Sequence, residues 1–356
     1  MLYYLGSFLQ KGFGPARLLQ SYTVLIALAL YSGFIITERI LPKCYRFLPC
    51  DRGREFTLTA EAAKGKPTGA GSIFITIFVL LSFLFTPMSI AQTGTLILTW
   101  ITMVTGFLDD RSITSWGEYR KGLLDLIISL AASFLLYYSA AAANQDGHVY
   151  FWLPFITHPV LVSEAVYITV STIMLWVSIN TTNCTDGVDG LSGTLVLIAL
   201  ITLGSIFYFI LGHKVIASYL LVPRIATGAN WAVMTFALAG VLMGYLWHNA
   251  YPSSVLMGDA GSRALGFFIG ACVMFSGNPF LFLATSSIIF INGGMGLMKV
   301  FLLRFFKIHI FDTIRFPLHD HMRKNHGWSP TQVLIKFMIM QILITVALLG
   351  LFFKIR

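Results

Sequence analysis

Charge is what this sequence has least of. Of its 356 residues only 11% are Asp, Glu, Lys or Arg, whereas 56% are hydrophobic. Soluble domains carry roughly 25% charged residues. A water-facing shell cannot be assembled from this composition, so lipid must be the solvent for most of the surface. Cysteine is also scarce. Cys44, Cys50, Cys184 and Cys272 form no C-x-x-C pair, which argues against a zinc ribbon or a disulfide framework. A cleavable leader is not expected, because the first apolar run starts only near Ser21 and no A-x-A-like site follows it. Bases exceed acids, 24 to 15, but they lie in short segments between apolar runs and not along one amphipathic element. That distribution suits a membrane protein and excludes nucleic acid as the partner.

What is present is a series of about ten apolar stretches, most long enough to cross a hydrocarbon core roughly 30 Å thick. They cover 20–38, 70–87, 92–108, 122–141, 164–180, 190–211, 230–247, 263–277, 280–303 and 332–352. Only helices and closed barrels satisfy their backbone within lipid. The expected fold is therefore an all-α integral membrane protein, one polytopic domain over 1–356. Residues 1–19 read as an interfacial N-terminal segment and 304–331 as a His-rich cytoplasmic loop.

Orientation follows from the connections. The segment 39–69 holds Arg39, Lys43, Arg46, Arg52, Arg54, Lys64 and Lys66; 109–121 holds Arg111, Arg120 and Lys121; and Arg304, Lys307, Arg315, Arg323 and Lys324 follow the ninth stretch. The alternate connections are poor in bases. The basic side is cytoplasmic by the positive-inside rule, and an even number of spans then places both termini outside.

Five of the few acids are aspartates in three short motifs: Gly106-Phe107-Leu108-Asp109-Asp110, Asn183-Cys184-Thr185-Asp186-Gly187-Val188-Asp189-Gly190, and Met257-Gly258-Asp259-Ala260-Gly261-Ser262. Each falls at the cytoplasmic end of a predicted span or in the loop beside it. Single loop aspartates often only cap helices or turn the chain, but three such motifs on one face point to function. Asp186 and Asp189, three apart, share a face if helical. Asp109 and Asp110, about 100° apart on a helix, cannot aim at one atom, so one can hold a metal or substrate while the other holds its neighbour. Carboxylates repel phosphates unless a cation intervenes, and Mg²⁺ is typically bound through one or two carboxylates plus substrate phosphates. The same face offers Lys64 or Lys66, Lys121, and the run from Pro317 through His319, Asp320, His321 and His326 to Trp328. Acids, a divalent cation, bases and lipid together indicate phosphoryl transfer at a membrane surface.

These motifs resemble those of the polyprenyl-phosphate N-acetylhexosamine-1-phosphate transferases. Pro317-Leu318-His319-Asp320-His321, followed by Gly327-Trp328, is similar to the P-L-H-H-H…G-W signature of the phospho-N-acetylmuramoyl-pentapeptide transferase branch. Lys66-Pro67-Thr68-Gly69-Ala70-Gly71 and Trp247-His248-Asn249-Ala250-Tyr251-Pro252 resemble two further segments of that branch. The resemblance spans about residues 40–330. It implies a bacterial enzyme of the cytoplasmic membrane that moves phospho-MurNAc-pentapeptide from UDP-MurNAc-pentapeptide to undecaprenyl phosphate, with Mg²⁺, to give lipid I and UMP in peptidoglycan synthesis. It also implies a homodimer. By position it implies Asp259 as the metal ligand, with Asp110 beside it, and Asp109 and Asp110 at the reacting phosphates. Asp186 and Asp189 fall on the nucleotide side, Asn183, Asn249 and Leu256 around uridine and phosphates, His319 at the catalytic centre, and Lys121 on a phosphate. Asp320 stands where the branch has its middle histidine, with His321 after it, and Lys299 stands where a Gln borders the uracil pocket. A sister enzyme using UDP-GlcNAc and a membrane transporter are the competing readings. A transporter places its charges near mid-span.

Overall fold

The computed structural model describes residues 1–53 and 64–354; Arg54, one of the bases used for orientation, lies outside the described residues. Every apolar stretch expected to span coincides with a helix. In chain order these are α2 (Tyr22–Cys44), α3 (Gly71–Phe85), α4 (Ile90–Arg111), α5 (Glu118–Ala143) and α6 (Glu164–Thr185). They continue with α7 (Leu191–Leu211), α9 (Gly228–Asn249), α10 (Gly258–Phe275), α11 (Leu281–Phe306) and α13 (Pro330–Lys354). Shorter helices are α1 (Leu2–Leu9), α8 (Lys214–Tyr219) and α12 (Leu318–His326). Eight of the described helices are long and apolar enough to cross a membrane. Of the other two, α3 is apolar but has 15 residues, and α10 carries Asp259 and Arg263 within 18 residues. This is a multi-pass membrane protein.

Local signals set several boundaries. Ser89 and Gln92 form a reciprocal capping box at the start of α4, and Ser329 and Gln332 make the same exchange at α13. Two π-helical turns, Phe290–Gly294 and Leu302–Phe306, carry α11 beyond the expected end at 303. The largest change from expectation is α10. It starts at Gly258 rather than near 263, so the Met257–Ser262 motif is a helix N-terminus and not a loop. Its residues are buried from Gly258 to Met274, and α4, α6 and α3 pack around it. Helix α9 packs on α2, α7 and α3, and its Trp231 stacks on Phe275 at the end of α10.

At the far end of the bundle from the aspartate motifs, a short hairpin pairs β1 (Val149–Phe151) with β2 (Val160–Val162), antiparallel, Tyr150 opposite Leu161. It links α5 to α6, and the adjacent Trp152 donates its indole N–H to the Ser276 carbonyl at 2.7 Å. The His-rich segment is not all loop: Leu318–His326 forms α12.

Candidate active site

Helix α4 runs toward the site and ends in its two aspartates, while α10 begins there. Both oxygens of Asp110 accept backbone N–H groups of α10, from Asp259 at 2.9 Å and from Ala260 at 3.0 Å. The carboxylate thus caps a helix N-terminus, where unsatisfied N–H groups and the positive dipole end favour an anion. Gly258 makes this approach feasible. Its φ is +69°, and a Cβ there would lie 2.3 Å from an Asp110 oxygen. Asp109, one residue earlier and on a different side of the helix, accepts the Trp116 N–H at 2.7 Å and pairs with the Lys121 ammonium. Lys121 also reaches Asp259 at 2.9 Å. One lysine from α5 therefore joins carboxylates from α4 and α10. The Asp259 side chain is only 2% exposed.

Beside this cluster lies a cleft of about 540 Å³, within the range of small-molecule sites. Among the expected site residues, Lys66, Asn183, Asp186, Asp189, Asn249, Leu256, His319 and Asp320 line it. Asp109, Asp110, Lys121 and Asp259 form the adjoining cluster and not the lining, and Lys64, Lys299 and His321 do not line it either. Lys64 is exposed on a turn, whereas Lys66 reaches the Ser253 hydroxyl at 3.1 Å and lies 3.9 Å from Asp189. Lys299 donates to the Phe311 and Ile314 carbonyls at 2.7 and 3.1 Å, which ties down the 307–317 loop. His321 accepts the Arg315 N–H at 3.3 Å. Asp186 and Asp189 share the cleft through a turn and not a helical face: α6 ends at Thr185 and α7 starts at Leu191. Asn249 holds that turn, accepting the Gly190 N–H and donating to the Val255 carbonyl, both at 2.8 Å. Leu256 is placed by backbone bonds to Pro67 and Ala70. Asn183 accepts the Ser262 hydroxyl at 2.8 Å, which links the cleft to α10.

His319 opens α12 and is 2% exposed. Its backbone N–H donates to Asn292 Oδ1 at 2.8 Å, and its Nδ1 lies 3.1 Å from the same oxygen. Its Nε2 sits against Gly187, where a Cβ would come within 2.3 Å of it, so only glycine leaves room for the ring. Burial, with the Arg323 guanidinium acting in the same direction, pushes the imidazole pKa down to about 3 from 6.5. Burial raises the neighbouring Asp320 carboxyl, with Arg315 and Arg323 opposing. For His319 the unfolded chain binds a proton below 6.5 that the folded site refuses down to about 3. Acidification through that window therefore lowers stability. The wild-type melting temperature is expected to drop further between about pH 7 and about pH 5 than that of His319→Gln. Equal drops would show an imidazole that titrates freely in the fold.

Four participants escaped the motif reading. Asn292 was hidden in the apolar run of α11, and Asp51, which lines the cleft, in a basic segment. Asp125 and Arg263 form an ion pair in the helix interior, both 1% exposed, with Nε 3.2 Å from Oδ1. The signal was available for three of them, since polar or charged groups inside apolar helices are rare and costly.

The chain is similar to known proteins over most of its length. The profile of the family described as "Glycosyl transferase family 4" matches residues 92–277. A Treponema pallidum protein named phospho-N-acetylmuramoyl-pentapeptide-transferase is 57% identical, over 98% of this chain and 95% of its own length. The chain belongs to the phospho-N-acetylmuramoyl-pentapeptide-transferase family. More distant relatives carry the same name. That of Campylobacter hominis is 28% identical over 96% of this chain and 97% of its own. That of Campylobacter jejuni is 30% identical over 78% of each. The transferase is thus a phosphoglycosyl transferase whose acidic motifs meet at one end of the helical bundle.

Among the described residues no group of three His, Cys, Asp or Glu side chains is set to hold a metal. Zinc sites take three or four such side chains, whereas Mg²⁺ keeps waters and substrate phosphates in its shell and is typically bound through one or two carboxylates. Asp51, Asp186, Asp189 and Asp320 face the cleft with Lys66 as the lysine among them, so carboxylates outnumber ammonium groups in the lining. Asp259 fits the ion better than Asp110, whose two oxygens already hold α10.

Proposed function

We propose that this transferase moves phospho-MurNAc-pentapeptide from UDP-MurNAc-pentapeptide to undecaprenyl phosphate, releasing UMP and forming lipid I. The observation that carries the reading is the 57% identity, over nearly the whole of both chains, to a protein of that name. The cleft beside Asp109, Asp110 and Asp259 supplies matching chemistry. In the reaction an oxygen of the lipid phosphate attacks the sugar-linked phosphorus. A new P–O bond forms, the bond to the UMP oxygen breaks, and UMP leaves with the electron pair.

The acceptor is a phosphate monoester with a second pKa of about 6, so it is largely ionised at neutral pH and needs little help from a base. Asp109, already fixed by Lys121 and the Trp116 N–H, acts as a positioner. Lys121 counters the charge of the incoming phosphates, and Asn183, Asn249 and Leu256 shape the nucleotide side. Mg²⁺, held by Asp259 when bound, would supply neutralisation of charge growing on the leaving oxygen. A sugar-phosphate adduct trapped on Asp109 or Asp110 without lipid acceptor would replace this one-step route with a two-step one.

The same reading puts the protein in the bacterial cytoplasmic membrane as one polytopic domain, with 1–19 at the interface. The aspartate end faces the cytoplasm, both termini lie outside, and the protein forms a homodimer. A transporter would place its acids near mid-span, whereas these gather at helix ends. The test is UMP release by purified protein in detergent with undecaprenyl phosphate and Mg²⁺. UDP-MurNAc-pentapeptide is expected to turn over at least about a hundredfold faster than UDP-GlcNAc. The reverse preference would assign the protein to a sister activity.

A further inference from the structure

We propose that Asn292 is a positioning residue for the transfer: its side-chain oxygen fixes the tautomer and direction of His319, so that bare Nε2 faces the substrate cleft as an acceptor. This assignment rests on the reading of the site given above, and nothing in the motifs marks Asn292.

Asn292 lies in the π-helical turn Phe290–Gly294 of α11 and is completely buried. Such turns recur at functional sites because they redirect one side chain out of the helical register. Its Oδ1 receives two donors from one residue, the backbone N–H of His319 at 2.8 Å and the ring Nδ1 at 3.1 Å. An amide oxygen cannot donate, so the proton of the neutral ring sits on Nδ1 and the lone pair on Nε2. The backbone bond fixes where α12 begins and the ring bond fixes how the imidazole turns. The amide nitrogen of Asn292 is buried without a hydrogen-bond partner among the described residues. A site selected only for packing would avoid that cost, whereas one that needs the oxygen accepts it.

Nε2 has a defined outlook. It sits against Gly187, in the turn that carries Asp186 and Asp189, and 3.8 Å from Asp320 Oδ1. Of the charged groups, Arg323 on its own helix acts on the ring and Asp320 lies beside it, with Arg315 in the preceding loop acting on Asp320, while Asp51, Lys66, Asp186 and Asp189 share the cleft lining with His319. Burial and Arg323 keep the imidazole neutral in the working range. A neutral ring with Nε2 bare can accept a hydrogen bond from a substrate hydroxyl or a phosphate-bound water. The opposite tautomer could only donate there.

Two measurements test the assignment. The first is independent of activity: ¹⁵N spectra of histidine-labelled protein in detergent, with His319→Gln identifying the signals by difference. Between about pH 6 and about pH 8, Nδ1 is expected to be protonated and Nε2 bare; a proton found on Nε2 overturns the proposal. The second compares variants with wild type in UMP release. Asn292→Leu, which keeps the volume and removes the acceptor, is expected to lower kcat about a hundredfold with donor KM within about twofold. Asn292→Asp keeps the acceptor but places a carboxylate on Nδ1–H, which favours the imidazolium. The ratio of its kcat to that of wild type should then fall about tenfold per pH unit on the acid side of neutrality. Taking the ratio cancels the titration of the acceptor phosphate. A ratio independent of pH, or an Asn292→Leu variant with wild-type kcat, also overturns the proposal. Absence of UMP release by the wild type would count against the functional reading alone, and the ¹⁵N spectra would still decide the role of Asn292.

Discussion

Replacing Asp259 by asparagine is expected to lower kcat by about a thousandfold or more and to leave the melting temperature near that of wild type. The side chain is nearly inaccessible, and its pairing with Lys121 at 2.9 Å holds it in the first turn of α10. Asparagine keeps the shape and one acceptor oxygen but loses the charge that a divalent cation and Lys121 both require. Lys121 retains Asp109 as a partner, so no buried ammonium is stranded and the fold should tolerate the change. Asp110→Asn should behave differently. Its carboxylate accepts two N–H groups, and an amide can accept only through its oxygen. One donor of α10 then faces an NH₂ group, at a cost of about 1 kcal/mol or more, as for other lost caps. Melting temperature and kcat should therefore fall together for Asp110→Asn, and kcat alone for Asp259→Asn. Detergent-solubilised thermal melts beside UMP release read both. An Asp259→Asn enzyme that turns over within tenfold of wild type in the same Mg²⁺ buffer would remove this residue from the chemistry.

The second large effect concerns stability. Asp125 and Arg263 are each 1% exposed, and each lies four residues from a member of the bridge, Asp125 beyond Lys121 on α5 and Arg263 beyond Asp259 on α10. Residues four apart share a helix face, so the pair lies one turn behind the Lys121–Asp259 contact. Breaking a buried ion pair leaves an uncompensated charge and costs about 3–5 kcal/mol. Asp125→Leu, which strands a guanidinium that cannot deprotonate, should be the more harmful single change. Arg263→Leu leaves a carboxyl that can take up a proton, so it should cost less. With both replaced by leucine the penalty should largely vanish, since a well-packed apolar pair of similar volume often equals a buried ion pair. A double-mutant cycle on melting in detergent measures the coupling. Additive single effects would show that the two charges do not depend on each other.

Much of the fold was legible along the chain because lipid imposes a strict rule. Backbone groups in hydrocarbon must bond within their own segment, so hydropathy alone located α2, α5, α9 and the other long helices. The errors lie where that rule weakens. Asp259 lowers the apolar signal at the start of α10, so hydropathy places that start near 263, whereas a capping carboxylate from α4 allows the helix to start at Gly258. The Asp186–Asp189 spacing is that of a helical face, but α6 stops at its cap residue Asp186, with φ −82° and ψ 61°, and Gly190, with φ +76°, caps the start of α7, which leaves a turn between them. Asn292 was overlooked because its partner His319 lies 27 residues away.

Lipid burial, helix positions and an acidic, phosphate-handling chemistry were determined by composition and motif, because each depends on residue type and local spacing alone. The pairing of those residues came from packing. Asp110 on the α10 N-terminus, Asp109 on Lys121, Lys66 rather than Lys64 at the cleft, and Lys299 turned to the 311–314 carbonyls all depend on distances between remote helices. A hydrogen bond needs its donor and acceptor about 2.7–3.2 Å apart and well aligned, and no local pattern encodes a separation that fine.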